Sequence, residues 1–114
     1  MRKSLSKYGN KRTKVGDLAF ASRKEARYYN FLLALQEQGK IHSLRCQVPF
    51  TFMINGEAMR NPDTNRVIKY VADFEYFTSE GERKIVDVKG FKTDVYKIKK
   101  ALMLSCNGIL IEEV

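Results

Sequence analysis

The sequence has few of the side chains from which many metal and catalytic centres are built. His42 is its only histidine, and Cys46 and Cys106 are its only cysteines. With His42 alone, neither a His-Cys zinc site nor the usual triad chemistry can be assembled, so we expect His42 to have no catalytic role. The cysteines are far apart and have no CxxC partner, which predicts reduced, structural thiols. No GxxxxGK[ST] or GxGxxG pattern is present, so a nucleotide cofactor has no support.

Long hydrophobic runs are also missing. No apolar stretch approaches the roughly 18 to 20 residues that span a bilayer. The first residues, MRKSLSKYGNKR, lack the apolar segment that follows the positive start of a secretory signal. We therefore expect a cytoplasmic protein. Its 114 residues, of which 44% are hydrophobic, are enough for one compact core and too few for two, so we expect a single domain.

Positive charge is present in excess, and most of it lies near the N-terminus. The formal net charge is +8, and residues 1–27 hold nine Lys or Arg against Asp17 and Glu25. A localised positive field attracts polyanions, so nucleic acid is the favoured partner. An anionic membrane is a weaker candidate because the basic segment has no apolar stripe, and a solvated tail is the structural alternative. The basic residues expected to contact nucleic acid are Lys7, Lys11, Arg12, Lys14, Arg23, Lys24 and Lys92.

The pattern predicts a flexible basic arm over residues 1–20 and a folded domain over residues 21–114. The arm is rich in Lys, Ser, Gly and Asn and has no helical or strand period. Ser22 and Glu25 form a capping-box pattern, after which a helix is expected to run to Gly39. Its inward stripe is predicted to comprise Ala26, Tyr29, Leu32, Leu33 and Leu35.

The rest of the chain predicts strands around a second helix. Residues 41–54 indicate a strand pair or one long strand bent at Pro49, and residues 55–66 a loop. The segments VIKYVADFEYF and KIVDVKGF are typical of a hairpin. Thr93 is expected to cap a helix ending at 107–108, before a last strand at 109–111. The inward residues of that helix are predicted to be Val95, Ile98, Leu102 and Leu104. The order αβββαβ predicts an α/β (α+β) fold with a four- to five-stranded mixed sheet flanked by helices.

Asp73 is the residue that points to chemistry, because it lies within an otherwise apolar strand. A buried carboxylate is unfavourable unless a positive group meets it. On the next strand, side chains alternate with period two, so Asp87 and Lys89 share one face while Val86 and Val88 take the other. A turn near residues 80–81 brings Asp73 nearly opposite Asp87. Two carboxylates and an ammonium are therefore expected to meet at one point.

Two carboxylates at one point repel each other, and a hard divalent cation relieves the repulsion. Mg²⁺ takes one or two carboxylates and leaves positions for water and phosphate oxygens, which describes a phosphodiesterase. The carbonyl of Val88 is a candidate further ligand. Lys89 would orient or deprotonate the attacking water, or neutralise charge on the phosphate, and Gly90 would allow a close approach of backbone or DNA.

The structural alternative is a hairpin held by salt bridges. In that case Asp73 pairs with Lys89 or Lys69, and Asp87 is a charge that protects a sheet edge from aggregation. Surface pairs of this kind contribute about 0 to 1 kcal/mol, which does not offset acids among so many large apolar neighbours.

The strand pair also resembles the signature of the PD-(D/E)XK nuclease superfamily, with Val-Ala before the first acid where Pro is usual. Within it, residues 7 to 110 resemble small phage proteins of the Holliday-junction-resolvase-like group. The shared pieces, in order, are KYGNK, F20xS22xxE25A, Q47VPF, Y70xAD73F, D87VKG and T93xxxxxK99. The resemblance implies a restriction-endonuclease-like core and a DNA endonuclease that uses Mg²⁺ or Mn²⁺.

Further assignments follow only from this resemblance. Glu25 stands where an acid on the first helix completes the metal site, although the capping box explains it equally well. Gln47 could reach the site from a neighbouring strand, and Lys99 could contact phosphate; an ordinary polar strand residue and a solvated helix lysine are the alternatives. The resemblance implies branched or structured phage DNA as substrate, a role in DNA recombination and the bacterial host cytoplasm as location. A two-strand cut would require a homodimer, since a domain with one site severs one strand per visit, and the apolar faces of the first helix are expected to supply the contact. The rival function is a non-catalytic nucleic-acid-binding accessory protein on an inactivated nuclease scaffold.

Overall fold

The structure is a computed structural model and describes residues 13–15 and 18–114. Its first helix, α1, spans Arg23–Glu37. The predicted cap is present, because the Ser22 hydroxyl accepts a hydrogen bond from the Glu25 N–H at 3.1 Å. After the helix, Gly39 adopts a φ of 76°, which suits a residue without a side chain. The apolar stripe faces the sheet as expected, with Ala26 and Leu32 buried.

A four-stranded mixed sheet forms the centre of the fold. Its strands are β3 (Ile41–Thr51), β6 (Lys69–Thr78), β7 (Arg83–Asp87) and β8 (Glu112–Glu113), in that order. The first two pairings are antiparallel, and β7 pairs with β8 in parallel. Together with its two helices this gives the mixed α+β class that the pattern predicted.

The predicted hairpin is present but its second strand is shorter than expected. The register pairs Phe74 with Val86, and β7 ends at Asp87. Lys89 therefore lies beyond the strand, in the segment that leads to the second helix. Its ammonium nevertheless lies 3.4 Å from Asp87 Oδ1, so the predicted meeting of Lys89 with Asp87 is present.

The strand β3 is continuous, so Pro49 does not interrupt it. An edge strand tolerates proline, because one side of its backbone has no ladder partner. The irregularities lie elsewhere: the register shifts between His42 and Arg45, and Ser43 and Gln47 have positive φ angles of 60° and 55°. The segment predicted as a loop contains a small hairpin of β4 (Met53–Ile54) and β5 (Glu57–Ala58).

The second helix, α2, spans Asp94–Asn107 and is capped by Thr93, but it presents a different face to the core. Tyr96 and Met103 are buried, whereas Val95, Ile98 and Leu104 are more than half exposed. Apolar residues occur on two sides of this helix, so periodicity could not decide which side packs. The last strand also differs: residues 109–111 lead into β8, which forms where the chain pairs with Val86 and Asp87.

Packed structure begins before the boundary expected at residue 20. The strands β1 (Thr13–Val15) and β2 (Leu18–Phe20) pair antiparallel, and Phe20 is buried against Tyr29 and Phe74. An aromatic ring in the core fixes this end of the segment to the domain. The remainder of the predicted arm lies outside the described residues. Among the residues described, no helix is long and apolar enough to cross a membrane.

The buried residues form two clusters, and β6 contributes to both. Tyr70 and Ala72 belong to a cluster with Tyr96 and Met103 of α2. Phe74, only two residues further, belongs to a cluster with residues of α1. Asp73 lies between them, at the point where β6 passes from one core to the other.

Candidate active site

Asp73 and Asp87 face each other across two antiparallel strands. Phe74 pairs with Val86, so the next step of the register sets Asp73 opposite Asp87. Their carboxyl groups lie within hydrogen-bonding reach, and Asp73 Oδ2 also accepts the N–H of Val88 at 2.8 Å. Asp87 is almost fully buried, with 2% of its surface exposed. The convergence of the two acids is therefore present as predicted.

The surroundings of Asp73 favour its protonated form. Burial is the largest cause, followed by the neighbouring carboxyls of Asp87 and Glu25, and together they raise the pKa of Asp73 to about 8. Among the described residues Asp73 has no salt bridge, so the predicted alternative pairings with Lys69 and Lys89 are absent. Lys89 instead pairs with Asp87. The charged groups nearest to the Asp73 carboxyl are therefore other carboxyls.

Glu25 reaches the site from the first turn of α1. Its backbone N–H caps the helix on Ser22, while its side chain is buried and accepts a hydrogen bond from Gln47 Nε2 at 2.8 Å. Burial raises the pKa of Glu25, although the hydrogen bond from Gln47 lowers it in part. The two interpretations of Glu25 are therefore compatible, because backbone and side chain make different contacts.

Gln47 stands opposite Asp73 on β3, since Cys46 pairs with Phe74 and Val48 with Ala72. Its φ of 55° is unusual for a residue with a side chain and costs of the order of 1 kcal/mol or more. The strained backbone at Gln47 accompanies a side chain that contacts Glu25. The expectation that Gln47 reaches the site is met in this geometry.

A cleft of about 730 Å³ leads to these acids. Lys89 lines this cleft, and its Nζ lies 3.4 Å from Asp87 Oδ1. Lys24 on α1 closes one side, because its ammonium donates to the Lys89 carbonyl at 3.0 Å. The residues that line the cleft are Ala21, Ser22, Lys24, Glu25, Asp73, Val88, Lys89, Gly90, Phe91 and Thr93.

Three residues of this site were missed by sequence reasoning. The Tyr70 hydroxyl donates to Asp87 Oδ2. The Tyr96 ring lies under the Lys89 ammonium, 4.1 Å from Nζ to the ring centroid, and the Tyr96 hydroxyl donates to Glu113 Oε2 at 2.8 Å. These residues come from three different elements. Tyr70 begins the piece Y70xAD73F that carries the family resemblance, although no role was predicted for it, and no local signal in the sequence marks Tyr96 or Glu113.

A family model described as "Protein of unknown function (DUF1064)" matches residues 5–106. The chain belongs to this family. No curated protein and no solved structure matches it. The function of this DUF1064 protein is therefore inferred from its own residues.

The basic residues expected to bind nucleic acid have different positions in this DUF1064 chain. Arg23 and Lys24 lie in the first turn of α1, beside the cleft. Lys92 pairs with Glu113 at 2.7 Å, and Lys99 lies partly buried on α2. Lys14 belongs to β1, while Lys7, Lys11 and Arg12 lie outside the described residues.

The cysteines and the histidine differ in their position relative to the acids, and Cys46 lies near enough to Glu25 and Asp73 for their charges to act on its thiol. Cys46 and Cys106 are unpaired and partly buried. Burial raises the pKa of the Cys46 thiol to about 11, so it is protonated at neutral pH and a weak nucleophile. His42 is exposed on β3, where its ring stacks on Phe77. These placements agree with structural roles.

A hard cation fits the chemistry of the donors that meet here. Asp73, Asp87 and Glu25 offer only oxygen, and replacement of their shared proton by a divalent ion would remove the repulsion between them. Val88 meets the site through its N–H, and its carbonyl stays a predicted ligand. As the side chains stand, no three Asp, Glu, His or Cys residues of the described chain are arranged to hold an ion.

Proposed function

We propose that this DUF1064 protein is a metal-dependent endonuclease that hydrolyses DNA phosphodiesters. The observation that carries the proposal is the contact between Asp73 and Asp87, with the Lys89 ammonium 3.4 Å from Asp87 at the wall of an open cleft. A buried carboxyl whose pKa is raised by a neighbouring carboxyl is unfavourable in its charged form, and such groups concentrate at functional sites. The cleft gives a phosphate access to Asp73 and Glu25, which line it.

Each residue of the site has a proposed part in the reaction. Asp73, Asp87 and Glu25 would hold Mg²⁺ or Mn²⁺. When bound, the cation supplies Lewis acidity at the scissile phosphate. Lys89 orients the attacking water or neutralises the charge that develops on phosphate, and its pairing with Asp87 holds its ammonium at the acids.

The finer assignments are proposals as well. The hairpin with Asp73, Asp87 and Lys89, flanked by α1 and α2, supports a restriction-endonuclease-like core and membership of the PD-(D/E)XK superfamily. We propose branched or structured DNA, of phage origin, as the substrate. One site severs one strand per visit, so a two-strand cut requires two copies of the chain. The first helix, which we expected to supply the dimer contact, buries Ala26 and Leu32 within its own protomer; Phe31 is the large apolar residue that it leaves more than half exposed.

The proposal is tested by cleavage of supercoiled plasmid and of a four-way junction. We expect cutting with Mg²⁺ or Mn²⁺, none with a chelator, and a decrease of at least about 100-fold in Asp87→Asn. Asp63→Asn is the matched control, because Asp63 is exposed in a distant loop. Equal cutting by Asp87→Asn and wild type, or junction binding without metal-dependent cutting, would remove the enzyme assignment.

One observation favours a second function, a nucleic-acid-binding protein without activity. In the part of the chain that the structure describes, no three Asp, Glu, His or Cys residues form a group that could hold a metal ion as the side chains stand. In that case the basic N-terminal segment supplies the binding. Deletion of residues 1–14 removes six positive charges, and the salt dependence of DNA affinity should then flatten by up to about 0.9 for each phosphate that the segment neutralises. An unchanged slope would show that this segment does not touch the DNA backbone.

A further inference from the structure

The Lys89 backbone is tied to the C-terminal segment by a hydrogen bond from its N–H to the Val114 carbonyl at 3.2 Å, but its long, flexible side chain needs contacts of its own to keep one direction. Two groups contact its ammonium. Asp87 Oδ1 is 3.4 Å from Nζ, and the centroid of the Tyr96 ring is 4.1 Å from the same atom. An ammonium within about 6 Å of an aromatic face is attracted to it, and the attraction grows as water is excluded. One quarter of the Lys89 side chain is exposed, so most of it is already out of water.

The Tyr96 ring is itself held on two sides. Tyr96 is buried, and its ring packs against that of Tyr70 with centroids 6.4 Å apart. Tyr70 in turn donates to the buried Asp87. On the other side the Tyr96 hydroxyl donates to Glu113, and burial raises the pKa of Tyr96, so the hydroxyl stays a donor. Rotation of the ring would break these contacts.

Glu113 is the point where the C-terminal strand joins this arrangement. Lys92, Tyr96 and Lys100 all donate to its carboxylate, at 2.7, 2.8 and 3.0 Å, and these bonds lower the pKa of Glu113 to about 2. In the sheet Glu113 pairs with Asp87. The Val114 N–H donates to the Asp87 carbonyl at 3.1 Å, and the Lys89 N–H donates to the Val114 carbonyl at 3.2 Å. Val114, which follows the last strand, therefore hydrogen-bonds to the backbone of both Asp87 and Lys89.

We propose that Tyr96 is a positioning residue for Lys89: its ring holds the ammonium beside Asp87, and Glu113 of the C-terminal strand fixes the ring. The catalytic part of this inference rests on the proposed function. The lysine side chain is long and flexible, so holding it in one rotamer costs conformational entropy. A surface that restrains the side chain before the reaction removes this cost from each turnover. The ring supplies that surface without competing for the proton of the ammonium.

The placement is tested by nuclear magnetic resonance on the full chain. A ring current shifts protons above an aromatic face upfield, so the ε-methylene of Lys89 should be upfield of the other lysines and show contacts to the Tyr96 ring. Assignment comes from the signal that disappears in Lys89→Met. The shift should persist in Tyr96→Phe, vanish in Tyr96→Leu, and persist in Tyr28→Leu, a tyrosine of the other core. A Lys89 signal without upfield shift in the wild type would overturn the proposal, whether or not any variant folds.

Cleavage kinetics test the consequence. Tyr96→Leu should lower kcat by about 3- to 30-fold with little change in KM, since the ring acts on Lys89 and not on DNA. Tyr96→Phe should restore kcat to within about threefold of wild type. Equal decreases in both variants at equal thermal stability would assign the effect to the Tyr96 hydroxyl and would overturn the role proposed for its ring face. If the wild type does not cut DNA at all, the proposed function fails, and the magnetic resonance result still decides where the ammonium lies.

Discussion

Glu75 and Asp73 stand two residues apart on β6, and they face surroundings of opposite charge. Glu75 is buried, and its carboxylate is met by Arg45 Nη1 at 3.0 Å and by Arg83 Nη2 at 2.6 Å. Asp73 is met by Asp87 and Glu25, and its only described donor among backbone groups is the Val88 N–H. An acid between two guanidinium groups is satisfied by the fold. An acid between two acids needs a proton or an added cation, which is why we place function at Asp73.

The largest effect expected from this comparison is on catalysis. Asp73→Asn and Glu75→Gln make the same chemical change on one strand. We expect Asp73→Asn to lower Mg²⁺-dependent cleavage at least about 100-fold, and Glu75→Gln to stay within about threefold per folded molecule. Cleavage is measured at a temperature where both variants are folded by circular dichroism. A greater decrease in Glu75→Gln would reverse the roles given to the two acids.

The next effect is on stability as a function of pH. The unfolded chain releases the Asp73 proton near its ordinary pKa of 3.8, whereas the folded protein keeps it until about pH 8. Between these values the folded state binds more protons, so the free energy of unfolding should fall as pH rises through this range. Thermal melts from pH 4 to 8 with a chelator measure the fall. Asp73→Asn should flatten the curve, and Mg²⁺ at pH 8 should raise the wild-type Tm. A curve of equal slope in Asp73→Asn would assign the pH dependence to other groups.

The smallest effect concerns the paired acid. Glu75→Gln should lower the free energy of unfolding by about 1 to 2 kcal/mol, because the two charge-assisted bonds weaken while both arginines keep access to water. Arg45→Met should cost less, since Arg45 makes one of the contacts and its side chain is 61% exposed. Urea denaturation gives both values. Asp73→Asn should be neutral or stabilising in the same assay, and a destabilisation as large as that of Glu75→Gln would contradict the comparison.

The meeting of Asp73 and Asp87 could be predicted because two local rules determine it. A strand alternates its side chains with period two, and the turn near Gly81 fixes the register of the hairpin. The cap at Ser22 also lies within reach of short-range patterns. None of these rules depends on how the helices pack.

The end of β7 and the packed face of α2 could not be predicted in the same way. The expected strand ran through Lys89, but β7 ends at Asp87, where pairing with β8 directs the chain towards α2. On α2, Val95 and Ile98 have the spacing of a core face, and the sheet selects Tyr96 and Met103 instead. A helix with apolar residues on two sides has no intrinsic preference between them, so the partner surface decides.

The sequence by itself determined the two acids, their common position on a hairpin, the caps of both helices and the concentration of positive charge near the N-terminus. All of these follow from periods and caps that span a few residues. Only the tertiary structure decided that Glu25 and Gln47 join the acids from other elements, and that Tyr70, Tyr96 and Glu113 surround Asp87 and Lys89. Those contacts join residues far apart in the chain, and they exist because burial of two apolar cores brings α1, α2 and β8 against the same end of one sheet.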